Sequence, residues 1–429
     1  MTDLRARYES YREARVRVRL AWLAGESAEL DYEKADEEHL DVTSGDALPA
    51  LLVEAGDARN DSAREGHARM IAALRAAVVA RGTRELATRA RARPDAVALR
   101  EELVARESEV LAKLGFANAR AFAESLRPGV DYGYWSAQAE ALLEAARAAY
   151  RDAQAALRPL AWSEVLPASR LRPALDFALA GLHVPLERAP GLHVDEAASP
   201  SRRELAFACA PLVPREVWLA YAPGAGIPAL EALFAATGEA LHAAFTSETL
   251  PFERRALGDP ASALVWRHFL PCLLAEPSFA ESGPVVGRAE EFGAVLRARR
   301  LEAALRAASL VSLELALAEL PPGADPRGLE GMYGERVEAA LGRAPDESAF
   351  LIECSARLRA VDELRATAVA VELVRHLRER FGRRWWTLRA AGELLLELMH
   401  TGTSYSPESL ARELGLAKPG AESLARALL

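Results

Sequence analysis

The sequence predicts a mainly α-helical protein with one small β element, on three observations. Hydrophobic residues make up 51% of the 429 and aromatics only 7%, so Ala and aliphatic residues dominate, accompanied by abundant Arg and Glu. Such residues lose least on entering a helix. Apolar residues recur at helical spacing, as at Val369, Leu373, Leu377 and Phe381. The stretch 182–223 departs from this pattern, with Pro, Gly and two short apolar runs.

Taken in order, residues 1–125 read as helices joined by polar links such as Gly45-Asp46 and Gly56-Asp57. In RPGVDYGYW (127–135), Pro, two Gly and three aromatics mark a loop. A helix follows to about Leu157. LAFACA (205–210) and EVWLAY (216–221) flank Pro211 and Pro214 and read as an antiparallel hairpin, with GLHVDEA (191–197) entering its loop. Pro228 suits a first helical turn, and Leu230, Leu233, Phe234, Leu241 and Phe245 predict a helix over 230–246 with a buried face. ARRLEAALRAA (298–308) reads as an exposed, salt-laced helix. Gly382 stands as the stop after Phe381, Ser406-Pro407-Glu408 as an N-cap and first turn, and Gly415 as that helix's end. The organisation is an N-terminal helical region, 1–160, and a core, 161–429. The core holds the hairpin at about 205–221, the helix 230–246 and C-terminal helices over 350–429.

Several function classes are excluded. With 53 Lys+Arg against 62 Asp+Glu the chain carries net −9, which argues against a general nucleic-acid binder. No run approaches the ~20 apolar residues of a membrane span; Glu314 and Glu319 interrupt the most apolar one, Leu310–Leu320. The first twenty residues mix both signs of charge with no apolar signal core, so no membrane partner is expected and the location is read as cytoplasmic. Cys209, Cys272 and Cys354 are too scattered for a disulfide framework or zinc ribbon and suit a reducing compartment. His193 and Asp195 lack a Gly-x-Ser-x-Gly partner, and Gly224 and Gly226 lack a phosphate-loop ending. Glu239-x-x-His242 and Glu397-x-x-His400 are the pairs a di-metal bundle would use. Glu393, Glu397 and His400, however, share one stripe opposite Leu394, Leu395 and Leu398, as a solvated face would. Cys272 reads as a buried thiol, and Trp385 and Trp386 as core.

Five segments in order resemble a known family. They are LGFANARAFAESLR (114–127), FACAPLVPREVWLAYAPG (207–224), LFAATGEALHAAF (233–245), FLPCLLAE (269–276) and the run from Glu379 to Gly415. Together they are similar to the thimet oligopeptidase/oligoendopeptidase F family of zinc metallopeptidases. The resemblance implies a two-lobed helical fold with a central cleft. This chain is shorter than typical members, which implies that some N-terminal helices are missing.

The same resemblance implies a degenerate site. In the family, two His at i and i+4 and a later Glu hold zinc, and a Glu between the His activates the bound water. That pattern places Ala235 at the first His, Ala236 at the base, Glu239 at the second His and Phe269 at the third ligand. Arg359 and Glu363 fall where active relatives present oxyanion helpers. Gly238 and His242 match the family's Gly and trailing His. The implied function is a catalytically inactive oligopeptidase homologue without a cofactor. Its cleft would keep a peptide or protein segment, bound along a free edge of the hairpin. Glu239 would pair with Arg359, or else Arg365. The alternatives are an active oligopeptidase with zinc on a rearranged site of Glu239, His242, His268 and Glu276, and a purely structural helical protein.

Overall fold

Helical spacing carries most of the chain into helices in the computed structural model, which describes residues 2–27, 30–58, 60–92, 97–154, 162–197, 202–283, 287–346 and 349–428. The N-terminal region holds α1 (Thr2–Ala24), α2 (Glu33–Glu38), α3 (Leu40–Thr43), α4 (Leu48–Gly56), α5 (Asp61–Gly82), α6 (Arg84–Ala92), α7 (Val97–Lys113) and α8 (Ala119–Leu126). After α9 (Tyr132–Ala153), α10 (Trp162–Val165) and α11 (Ala168–Gly181) come three strands, β1 (Leu192–Asp195), β2 (Ala206–Leu212) and β3 (Glu216–Tyr221). The core continues with α12 (Gly226–Phe245), α13 (Phe252–Ala256), α14 (Pro260–Leu274), α15 (Pro277–Ser282) and α16 (Ala289–Glu319). It closes with α17 (Glu330–Leu341), α18 (Phe350–Glu353), α19 (Arg359–Phe381), α20 (Arg389–His400), α21 (Pro407–Glu413) and α22 (Ala421–Leu428). Among the described residues, no helix is long and apolar enough to cross a membrane.

The loop expected over 127–135 is shorter. Asp131 accepts a hydrogen bond from the Tyr134 amide at 2.8 Å and so caps α9. Tyr132 and Trp135 are then buried in its first two turns. The expected helix end at Leu157 and the boundary between 160 and 161 lie outside the described residues. The N-terminal helices share an apolar cluster of their own, with Tyr8, Tyr11, Met70 and Leu74 closed by Phe252 of α13. By contrast, α9 joins the main core beside α16.

The β element has three strands rather than two, in the order β1-β3-β2. β2 pairs antiparallel with β3, as the hairpin reading expects, but β1 lies parallel to β3 with Leu192 opposite Val217. GLHVDEA is therefore a strand and not a loop. Four residues paired by a distant crossover leave no local signal. The hairpin's runs are apolar on both faces because both are covered. Ala206, Ala208, Val217 and Leu219 face the main core, whereas Phe207, Cys209 and Ala220 meet Leu20 and Leu23 of α1.

Helix α12 is buried along most of its length, between the sheet and α14. Gly238 permits this, since a Cβ there would come within 2.1 Å of the Trp266 carbonyl oxygen on α14. Helix α16 corrects a second expectation. Within 298–308, Ala298, Leu301, Ala304, Leu305 and Ala308 are buried, so this is a central helix whose arginines face a recess. The stops and caps are where the residues place them. Gly382 follows α19 at φ 85°, Gly415 follows α21 at φ 64°, and Ser406 Oγ accepts from the Ser409 amide. Trp385 and Trp386 are core, and Glu393, Glu397 and His400 are exposed.

The strongest cross-link between these helices is ionic. Arg365 on α19 is 0% exposed. Its guanidinium reaches Asp259 before α14 (2.5 Å), Glu408 on α21 (2.7 Å) and Asp362 one turn back (3.0 Å). Asp362 in turn holds Arg127 at 2.5 Å, and Glu408 accepts from Trp135 Nε1 at 2.9 Å. Burial works against the Arg365 charge, but Glu408 and Asp259 outweigh it and raise its pKa above the usual arginine value. Removing one member of such a cluster strands the others in low dielectric. Arg365→Met should cost about 3–5 kcal/mol of stability, read by urea unfolding at neutral pH. A loss within the error of the measurement would show that the network carries no structural weight.

Candidate functional site

The positions singled out in the sequence lie on α12, α14 and α19, three helices packed side by side. Ala235 is half-buried on α12 and lines a recess of about 680 Å³ between α12, α14, α16 and α19. Ala236, next in sequence, is 1% exposed and belongs to the core. Glu239, one turn on, lines a smaller recess of about 230 Å³ with Arg12, Cys209, His242, Asp259 and Ala263.

On α14, Arg267, His268, Pro271 and Cys272 face the larger recess. Phe269 does not join them. Two residues beyond Arg267 is about 200° round a helix, which turns Phe269 into the core between Trp266 and Trp385, with ring centroids at 5.8 and 6.0 Å. The periodicity of α14 could have exposed this mismatch. Ala263 is the α14 residue that shares the small recess with Glu239.

Glu239 does not pair with Arg359 or Arg365. Its partner is Arg267, with Nη1 3.2 Å from Oε2. Because Glu239 lines the small recess and Arg267 the large one, this ion pair stands between the two. Arg359 is largely exposed and lies 3.7 Å from Glu363, while Arg365 is consumed by the buried network. Glu363 accepts a 2.6 Å hydrogen bond from His268 Nε2. Burial pushes the Glu363 carboxyl up, yet His268, with help from Arg359, carries it below the ordinary value.

The residues of the rearranged metal site are held apart. His242 is stacked on Trp266 and donates from Nε2 to the Gly402 carbonyl at 3.0 Å. His268 belongs to Glu363 in the larger recess. Glu276 is buried and paired with Arg378 near α22. Of the discarded triad, His193 is stacked on Trp218 at 4.8 Å and Asp195 is paired with Arg202. Among the described residues, no three His, Cys, Asp or Glu side chains are grouped so that they could hold a metal ion. The three family-like ligand positions hold a methyl group (Ala235), a phenyl ring turned into the core (Phe269) and a carboxylate already held by a guanidinium (Glu239), which does not fit a zinc centre.

One residue of the recess went unread in the sequence. In the sequence Glu314 only interrupts an apolar run; in the structure it is 0% exposed. Leu358 before α19 is left-handed (φ 60°) and has no side chain able to cap, so Glu314 accepts from the Ala360 and Ser355 amides at 2.7 and 2.9 Å. Burial outweighs those bonds and pushes its carboxyl up to about 8. Glu231 with Arg299 (2.5 Å) and Glu353 with Arg306 complete the charged wall, above a lining of Ala232, Ala303 and Ala307.

No family sequence model matches this chain, and no curated protein matches it by sequence. Solved structures match its fold. The carboxypeptidase of Pyrococcus furiosus is similar over 100% of this chain and 97% of its own, with a TM-score of 0.66 at 15% identity. An M32 carboxypeptidase from Deinococcus radiodurans R1 gives 0.65 at 14%, over 99% and 97% of the two chains. An oligoendopeptidase F structure from Bacillus anthracis gives 0.60 at 12%, over 92% and 79%. The chain thus has the helical fold these peptidases share, as the resemblance implied. Its length, short for an oligoendopeptidase, is that of the carboxypeptidase structures.

His242 gives a measurable consequence. Burial lowers its pKa from 6.5 to about 4, against the Gly402 hydrogen bond. A depressed folded value means that the unfolded chain binds the extra proton between pH 6.5 and 4. Its stabilising contribution is therefore complete above 6.5 and is lost as pH falls to about 4. Urea titrations across that window should show wild type losing about 3 kcal/mol more than His242→Gln. Parallel pH profiles would contradict the assignment.

Proposed function

We propose that this chain is a catalytically inactive relative of the oligopeptidases whose cleft receives a peptide or protein segment. The observation that carries the reading is the α12 face. Ala235 and Ala236 offer no donor atom, and Glu239 is engaged by Arg267. A hydrolytic zinc needs three protein ligands and a base for its water. The rearranged set of Glu239, His242, His268 and Glu276 lacks support, because each member is committed elsewhere. A recess of about 680 Å³ lies within the usual range for ligand pockets and favours binding over a purely structural role. Free, buried Cys209, Cys272 and Cys354 agree with a reducing, cytoplasmic setting.

The mode of binding differs from simple strand addition. Arg12 of α1 donates to the Ala210 and Pro211 carbonyls at 3.2 Å, and α1 covers that side of the hairpin. A peptide would instead enter the larger recess and be held by side chains of α12, α14, α16 and α19.

Metal analysis after dialysis, together with a quenched peptide library with and without chelator, tests the reading. The expected result is no stoichiometric zinc and no chelator-sensitive turnover. Stoichiometric zinc with chelator-sensitive cleavage would overturn it.

A further inference from the structure

The recess is not closed at its α16 side. Arg300, Cys272, Val371 and Leu428 line both the larger recess and a second one of about 170 Å³ between α14, α16, α19 and α22. In this extension the carboxylates are already matched, Glu276 by Arg378 and Glu372 by Arg375. Arg297 and Arg300 make no ion pair among the described residues. Arg300 Nη2 is buried, with no hydrogen-bond acceptor. Its guanidinium lies beside the Cys272 thiol, which itself donates to the His268 carbonyl. Arg300 as a whole is only half-buried and lines both recesses, so its guanidinium is placed to donate to the oxygens of an anionic ligand there.

The surrounding charge has the same sign. Nine arginines and six glutamates line the two recesses together. One of the six, Glu314, is held mostly protonated at neutral pH by its burial. The recess is thus cationic in a chain whose net charge is −9, and a surface potential opposite to the whole molecule's selects for ligands of that opposite sign. The remaining lining (Ala232, Ala303, Ala307, Leu310) is apolar and narrow in reach, suited to the stems of extended side chains.

We propose that the recess selects an acidic peptide segment, whose side-chain carboxylates are received by Arg300 and Arg297. This rests on the peptide-cleft reading and names the ligand class it leaves open. The probe is a fluorescein-labelled hexapeptide of alternating Ala and Glu, acetylated and amidated so that only side chains carry charge, read by anisotropy. Counterparts with Gln and with Lys replacing Glu accompany it. The Glu peptide should bind, weaken as NaCl rises, and exceed the Gln peptide by about tenfold, the scale of one charge-assisted contact. Arg300→Gln should remove that preference, with Arg297→Gln a second variant should the first unfold on heating below wild type. Equal binding of the Glu and Gln peptides, or a preference for Lys, would overturn the acidic assignment and leave the cleft reading standing. Binding of none of the three would overturn both.

Discussion

Arg365 is the charge around which the core is organised. A guanidinium with no exposed surface survives only if carboxylates come to it, and they come from three places, Asp259, Asp362 and Glu408. Asp259 is also the N-cap of α14. The same cluster therefore sets the start of α14, its height against α19, and the seat of α21. Arg127 and Trp135 extend the clamp to the chain entering α9. The site inherits its geometry from this arrangement, because His268 and Glu363 meet across α14 and α19 only with those helices in that register.

Within the cleft, ion pairs stand where coordination chemistry would be expected from the resemblance. The Glu239–Arg267 pair separates a small recess near α1 and the sheet from a larger one walled by α16 and α19. Both partners are about a third exposed, so the pair contributes little stability. Its effect is on shape and charge. It occupies Glu239 Oε2 and leaves the arginines of α16 facing the larger recess.

The fold and the chemistry have different constraints. At 12–15% identity the matched structures share an architecture, and in this chain that architecture depends on close approaches such as the one at Gly238, where backbone meets backbone. Side chains that face a cleft carry no such requirement. A peptidase-like fold can therefore hold a site with other chemistry, and the shared architecture by itself assigns no activity to this chain.

Much of this was legible in the sequence. Alanine and aliphatic periodicity determine the helices, and Gly382, Ser406 and Gly415 determine where several of them stop or start, because caps and stops act over one or two turns. The apolar face of 230–246 and the core role of Trp385 and Trp386 follow for the same local reason. The tertiary structure alone decided the rest. β1 became a strand only by pairing with a segment two dozen residues away. The 298–308 arginines turned inward because α16 is the central helix, and Phe269 turned away from the cleft through the rotation of α14. Glu314 was in the sequence only a break in an apolar run, and its role as acceptor for the Ala360 amide arises where the left-handed Leu358 starts α19 without a capping side chain. Charge partners were the least readable of all. An ion pair needs only two side-chain ends to meet, and residues on separate helices carry no record of each other until the helices are packed.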